Sequence, residues 1–330
     1  MNDSINLPDY KLIKKVPNEG LEMLCGKLLG DGNILIQAKR TPRFRFSHSV
    51  KDKEWCFYCY KELSVYFPLN SPRYRKITDK RVNAGFTEMY YVQSKTSLVF
   101  KELKKLWYPD NKKVLPIKLL YHVMSPLCLA WWYQDDGNLK IGNGIPNKIT
   151  LSTDSFSYEE NHFLIQLLQS KFGLSFSLDG QNRLLLYDRP QIFYFLSIVR
   201  PYILMKRKMW IPLPANKFFP KFKRTTIYLS KQIRINKPTY DINQQLTILP
   251  RLNEILDSDK TYQLFYQKYI IPLKQSVTNS YQIRINQKSL IELDKCQKRT
   301  GLKISEIVEL CYLLNKYKHN FLKVRVANNP

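Results

Sequence analysis

The chain has 330 residues, and its 44% hydrophobic and 13% aromatic content fits a folded protein with a substantial core rather than a disordered one. Its 53 Lys and Arg against 27 Asp and Glu give a formal charge of +26, which implies a polyanionic partner, nucleic acid ahead of an anionic membrane surface. No apolar run approaches the ~20 residues that cross a bilayer, and the N-terminus has no signal-peptide apolar region. A non-membrane protein of an organelle or a bacterial cytoplasm is expected.

Residues 1–20 read as a basic leader with Lys11, Lys14 and Lys15, followed by a helix over about 20–31. Arg43 to Ser49 alternates as a strand, with Arg43, Arg45 and Ser47 on one face and Phe44, Phe46 and His48 on the other. A helix near 52–66, a strand at 88–94 and a helix at 96–107 complete a first half. After the basic linker Asn111-Lys112-Lys113-Val114-Leu115-Pro116 and a short helix, the order repeats. A strand at 148–153, a helix at 157–172 ending at Gly173, strands near 174–179 and 183–187, and a helix over 190–199 are predicted. The two halves, 1–120 and 121–215, therefore read as repeats of one α+β unit.

Residues 216–330 differ: basic runs such as Lys221-Phe222-Lys223-Arg224 appear, and Gln-Ile-Arg-Ile-Asn occurs at 232–236 and again at 282–286. Two helices, about 287–299 and 304–317, follow the second copy. Strand, helix, turn, helix resembles a ribbon-helix-helix DNA-binding module, with a plain helical appendage as the alternative. Of the six cysteines, Cys56 and Cys59 form a CxxC, but no second pair follows at zinc spacing, so ordinary reduced thiols are expected.

The stretch that organises the first two thirds is Leu24-Cys25-Gly26-Lys27-Leu28-Leu29-Gly30-Asp31-Gly32. Leu129-Ala130-Trp131-Trp132-Tyr133-Gln134-Asp135-Asp136-Gly137 overlays it at an offset of 105, placing Asp136 on Asp31 and Gly137 on Gly32. Small residues at Gly26 and Gly30 would let two such helices approach closely, facing Trp131 and Trp132, and bring Asp31 and Asp136 together at their ends. Two carboxylates that close repel unless a cation lies between them. An oxygen-rich site of this kind suits Mg²⁺ or Mn²⁺, and a metal held against a phosphodiester can drive its hydrolysis. The plainer reading, that each acid only ends a helix, is adequate for one motif and strained for the pair.

The two stretches resemble the motifs of LAGLIDADG homing endonucleases of the single-chain, double-motif type, and the order of elements is similar to that of the omega-intron endonucleases of yeast mitochondria. The resemblance covers roughly residues 20–215 and extends to the 111–116 linker, Leu151 to Phe156 and Arg200-Pro201-Tyr202. It implies two pseudo-twofold-related αββαββα units whose sheets form a saddle on a long double-stranded DNA site, followed by a mostly helical appendage. It also implies cleavage of both strands by a monomer. Asp31 and Asp136 become the metal ligands, in a site that includes Gly30 and Asp135 beside them; Asp135 reads as a surface acid or as support for a ligand. Lys113 matches the family's basic residue ahead of the second motif. Its counterpart falls in Met205 to Trp210, at Lys208 or Lys206.

The implied DNA contacts in the first half are Arg43, Arg45 and Ser47 on the strand face, with Lys39, Arg40, Arg73, Arg75, Lys76 and Arg81 on the adjoining turns. In the second half they are Lys148, Thr150 and Ser152 on one strand face, with Lys140 and Arg183 nearby. Two alternatives use the same basic surface: a maturase that binds intron RNA, and a transcription regulator without catalysis. Retention of both acids favours cleavage.

Overall fold

The computed structural model describes residues 10–36, 40–142, 145–204, 224–270 and 277–316. They fall into two compact units, one of residues 1–139, 149–186 and 199–210, the other of 140–148, 187–198 and 211–330.

The repeat read from the sequence is present, with three strands, at 33–35, 73–78 and 137–142, added to those expected from the sequence. The first half runs α1 (Asn18–Leu29), β1 (Asn33–Leu35), β2 (Arg43–Ser49), α2 (Lys53–Ser64), β3 (Arg73–Thr78), β4 (Phe86–Gln93) and α3 (Leu98–Trp107). A short α4 (Ile117–Val123) precedes the second half: α5 (Pro126–Asp136), β5 (Gly137–Gly142), β6 (Ile145–Leu151), α6 (Tyr158–Phe172), β7 (Ser177–Leu178), β8 (Leu184–Leu186) and α7 (Arg189–Val199). The strand orders are the same in both sheets, β1-β2-β4-β3 and β5-β6-β8-β7. The fold class is thus α+β with two αββαββα repeats.

Both motif helices, α1 and α5, lie in the first unit and pack on one another. A helix apolar all round belongs inside, and from Leu24 to Leu29 and from Cys128 to Gln134 every residue is buried. The close approach depends on glycine. A β-carbon at Gly26 would lie 2.7 Å from the Cys128 carbonyl oxygen and from Trp131 Cβ, and one at Gly30 would lie 2.4 Å from Asp135 Cβ. Local signals fix the helix ends. Ser125 accepts from the Cys128 N–H, with Pro126 in the first turn of α5, and Ser157 with Glu160 forms a capping box on α6.

β3 has no counterpart among the strands expected from the sequence: its Arg-Tyr-Arg-Lys run is polar on both faces, and all but Ile77 of it is exposed, as befits a sheet edge. In the 224–316 region the described elements are β9 (Arg224–Ser230), α8 (Pro238–Gln245), α9 (Leu249–Ile255), α10 (Asp259–Phe265), β10 (Thr278–Arg284), α11 (Gln287–Thr300) and α12 (Ile304–Lys316). The strand–helix–turn–helix order read from the sequence is there as β10–α11–α12, and β10 pairs antiparallel with β9 of the same chain. The repeated pentapeptide is not a structural repeat. Its first copy lies in turns after β9, whereas its second ends β10 and places Asn286 at the N-terminus of α11.

Candidate active site at the ends of the motif helices

The ends of α1 and α5 gather an unusual density of charge. The Asp135 side chain is fully buried, and its acceptor capacity is committed. Oδ1 takes the Lys27 ammonium at 2.8 Å and the Trp55 Nε1–H at 2.8 Å, and Oδ2 takes the backbone N–H of Asp31 at 3.1 Å. Lys27 is itself fully buried; burial is the largest single influence and pushes its pKa down, but the charges of Asp135, Cys59 and Asp31 and the hydrogen bond to Asp135 together raise it, so the ammonium is charged.

This charge state fixes the histidine beside it. Lys27 Nζ lies 2.7 Å from His48 Nε2, and an ammonium can only donate. His48 Nε2 therefore accepts, and the ring proton, assigned from this network, sits on Nδ1, 3.1 Å from Asp31 Oδ2. One ligand atom from each of Asp31, His48 and Asp135 falls within a 4.8 Å cluster.

Asp136 completes the acidic group. Burial first, then the charges of Asp31 and Asp135, raise its pKa from 3.8 to about 7. Lys113 faces the same charges: burial lowers its pKa, opposed by Asp136, Asp135 and Asp31 in that order. Its position in the linker is well determined. Val114 N–H is bonded to the Trp107 carbonyl at 2.8 Å, Leu115 N–H to Glu160 Oε1 at 2.7 Å, and Lys113 Nζ donates to the Gly32 carbonyl at 3.3 Å.

The donor set fits a hard divalent cation. Asp136 is a half-buried carboxyl destabilised by two neighbouring carboxylates, the situation that a cation relieves. Asp31 and Asp136 are the ligands to expect, because Asp135 is already spent on Lys27, Trp55 and the Asp31 backbone.

The sequence pattern of the LAGLIDADG DNA endonuclease family matches residues 21–189, just over half of the 330-residue chain. The chain belongs to this family. The LAGLIDADG protein is 30% identical over 211 residues to an uncharacterised protein of Methanocaldococcus jannaschii, covering 61% of this chain and 76% of that one. It is 28% identical to a cytochrome b mRNA maturase bI2 of Debaryomyces hansenii, covering 62% and 74% of the two chains. It is 26% identical to a probable intron-encoded endonuclease 1 of Wickerhamomyces canadensis, covering 61% and 90%. Among solved structures, the homing endonuclease I-WcaI bound to its DNA recognition sequence shares the fold, with a TM-score of 0.50 and 22% identity over 60% of this chain and 91% of that one.

The remaining sequence-derived positions divide sharply in this LAGLIDADG protein. Register places Arg43, Arg45, Ser47, Arg73 and Arg75 on one face of the first sheet, with Tyr91 opposite both Ser47 and Arg73. The Arg45 guanidinium stacks 4.9 Å from the Tyr91 ring centre. Arg40 precedes this strand and is exposed. Four positions need correction. Lys76, one residue out of step with Arg75, points to the other face, where its ammonium lies over the Phe86 ring. Thr150 is buried opposite Leu185 rather than open to a partner. Arg183 is tied through Nε and Nη2 to Asp179 in a hairpin turn. Asp135 is not a surface acid.

Arg81, at the tip of the β3–β4 hairpin, is exposed but paired with Asp79. Lys140 is exposed on β5, Lys148 is half-buried near the Tyr187 ring, and Ser152 follows β6 half-buried with its N–H on the Asp136 carbonyl. Lys39, Lys206 and Lys208 lie outside the described residues. Sequence reasoning missed the roles of Lys27, His48 and Trp55. The signal available was a lysine within an apolar motif, matched by one more acid in the other motif than the repeat requires.

Proposed function

We propose that the protein is a site-specific, metal-dependent homing endonuclease that hydrolyses phosphodiesters in both strands of a long double-stranded DNA site and so promotes the mobility of its own intron. The observation that carries this reading is the meeting of Asp31, Asp136 and Lys113 at the ends of two helices, below a sheet face bearing Arg43, Arg45, Arg73 and Arg75. Arginines on a strand face can pair with base edges in the major groove, while flanking lysines hold phosphates.

Asp31 and Asp136 would hold Mg²⁺ or Mn²⁺. When bound, such an ion supplies a polarised phosphoryl group and an activated water. The chain's own residues do the rest. Lys27 and Asp135 fix the end of α1 through the Asp31 N–H, and the His48 Nδ1–H orients the Asp31 carboxylate. Lys113 Nζ presents a positive charge or an exchangeable proton beside the same acids. Because one chain carries both motif helices, it completes the site as a monomer.

The test is incubation of the protein with the intronless allele of its host gene, with Mg²⁺ and with EDTA. Double-strand cutting at one position with Mg²⁺ alone is the expected result. No cutting, with tight binding to the intron RNA, would move the reading to the maturase, the alternative that relatives named as mRNA maturases keep in view.

Metal binding should compete with protons at Asp136. Its folded pKa of about 7 lies above the ordinary 3.8, so between those values the folded protein holds a proton that the unfolded chain has released. Stability of the metal-free protein therefore falls as pH rises from about 4 to about 7, and a bound cation reverses the trend. Titration calorimetry should show Mg²⁺ affinity dropping roughly tenfold per unit below pH 7, with proton release on binding at pH 6 and little at pH 8. Affinity flat from pH 5 to 8 would remove Asp136 from the ligand set.

A further inference from the structure

The β9–β10 ribbon has two faces of opposite character. Ile227 and Leu229 of β9 and Ile283 of β10 are buried, with α12 lying against β9 and α8 against β10. The other face alternates outward as Arg224, Thr226 and Tyr228 on one strand and Arg284, Gln282 and Ser280 on the other, all exposed, and it carries no acid.

Two observations set this face apart from a merely solvated one. Arg224 and Arg284 are directly opposite each other in the register, where like charges oppose pairing and a stability-driven sequence would place opposite ones. Among the described residues no ion pair or hydrogen bond neutralises either guanidinium, and the sequence brings Lys221 and Lys223 just before Arg224. The outer edge of β9, by contrast, is closed. The Tyr228 N–H donates to Ser305 Oγ at 3.0 Å and the Ser230 N–H to the Glu309 carboxylate, so strand addition there is blocked and the face is what remains available.

We propose that this face is a second DNA-contact surface, one that seats in the major groove of duplex DNA. The proposal rests on the reading of the protein as a DNA endonuclease. A ribbon of two strands ~4.8 Å apart enters a major groove about 12 Å wide, where Gln and Thr can bond base edges and Arg can bond guanine or flanking phosphate. The deep, narrow major groove of A-form RNA does not admit it, and this shape argument selects DNA.

The test uses the full chain, a 30-base-pair random-sequence DNA duplex and an RNA duplex of the same sequence, with binding followed by fluorescence anisotropy across salt concentrations. Arg224→Ala/Arg284→Ala should weaken DNA binding on the order of tenfold and reduce the slope of log affinity against log salt by about 1.8, the value for two lost phosphate contacts. Arg224→Lys/Arg284→Lys should keep the slope, which a loss of folding would not allow. An unchanged slope in the alanine pair overturns the proposal, as does an equal loss on the RNA duplex. Cutting is scored separately with the wild-type chain on the intronless allele of its host gene, with Mg²⁺. Metal-dependent cleavage with no change in slope refutes the ribbon alone; the expected slope change without any cleavage supports the ribbon and refutes the endonuclease reading.

Discussion

Asp31→Asn and Asp136→Asn should each lower the single-turnover rate of DNA cleavage on the order of 10³-fold or more, while binding of uncut duplex persists or tightens. The rate loss follows from what the carboxylates do. Asparagine keeps the shape and one carbonyl oxygen but removes the charge that holds a hard cation, and metal stabilisation of a phosphoryl transition state is worth several kcal/mol, roughly a factor of ten for each 1.36 kcal/mol. The binding outcome follows from sign. In a chain of charge +26, acids at the centre of a phosphate-binding surface repel the ligand, so removing one cannot weaken attraction to DNA. The two variants should differ in one respect. Asp31 anchors the His48 Nδ1–H, and the amide oxygen in Asp31→Asn is still an acceptor for it, so the histidine stays in place. Asp136 is the acid that burial and its neighbours keep protonated towards neutrality, so its loss should also remove the pH dependence of metal binding below pH 7. Full cutting by either variant would sink the assignment of that acid as a ligand.

What was legible in the sequence tracks what short-range physics determines. The alternation in Arg43 to Ser49, the capping residues of α6 and the apolar body of α1 each encode their element locally, and the observed bounds agree with the expected ones to within a few residues. The repeat of topology followed from two motifs at a fixed offset. β3 was opaque because an exposed edge strand shows no periodicity of burial. Lys76 was misplaced for the same reason, since without a strand there was no register to assign its face. The ion pair of Lys27 with Asp135 was opaque because it joins residues 108 apart, and nothing local announces a buried lysine. His48 was seen on the covered face of β2, as it is, but only the fold reveals that the covered face ends at the clustered acids Asp31 and Asp135. Thr150 was expected to touch DNA from its strand face and Arg183 from its place nearby, and their neighbours Leu185 and Asp179 withdraw them.

Lys27→Met should be the most destabilising single change in the site, costing about 3–5 kcal/mol by denaturant unfolding. Methionine fills much of the same volume, so packing is largely kept. What it removes is the only cation bonded to Asp135 among the described residues, leaving a fully buried carboxylate held by Trp55 and a backbone N–H alone. The pKa of Lys27 is raised in the fold, so the stabilisation is complete at neutral pH and disappears only as alkali deprotonates the ammonium. The decisive comparison is Lys27→Met/Asp135→Asn. Asparagine is neutral, and its single carbonyl oxygen can still accept from either Trp55 or the Asp31 N–H, the two donors that Asp135 takes on different oxygens. The double variant should therefore recover the larger part of the loss by removing the buried charge, and the coupling energy between the two sites should be large. Recovery of stability need not restore function. His48 Nε2 would have lost the ammonium that holds its proton on Nδ1, and the Asp31 carboxylate would be less firmly oriented. A stable double variant with reduced cleavage would assign Lys27 two separable duties, neutralising Asp135 and setting the tautomer of His48. A single variant within about 1 kcal/mol of the parent would show instead that the pair contributes little and that Asp135 tolerates burial by taking up a proton.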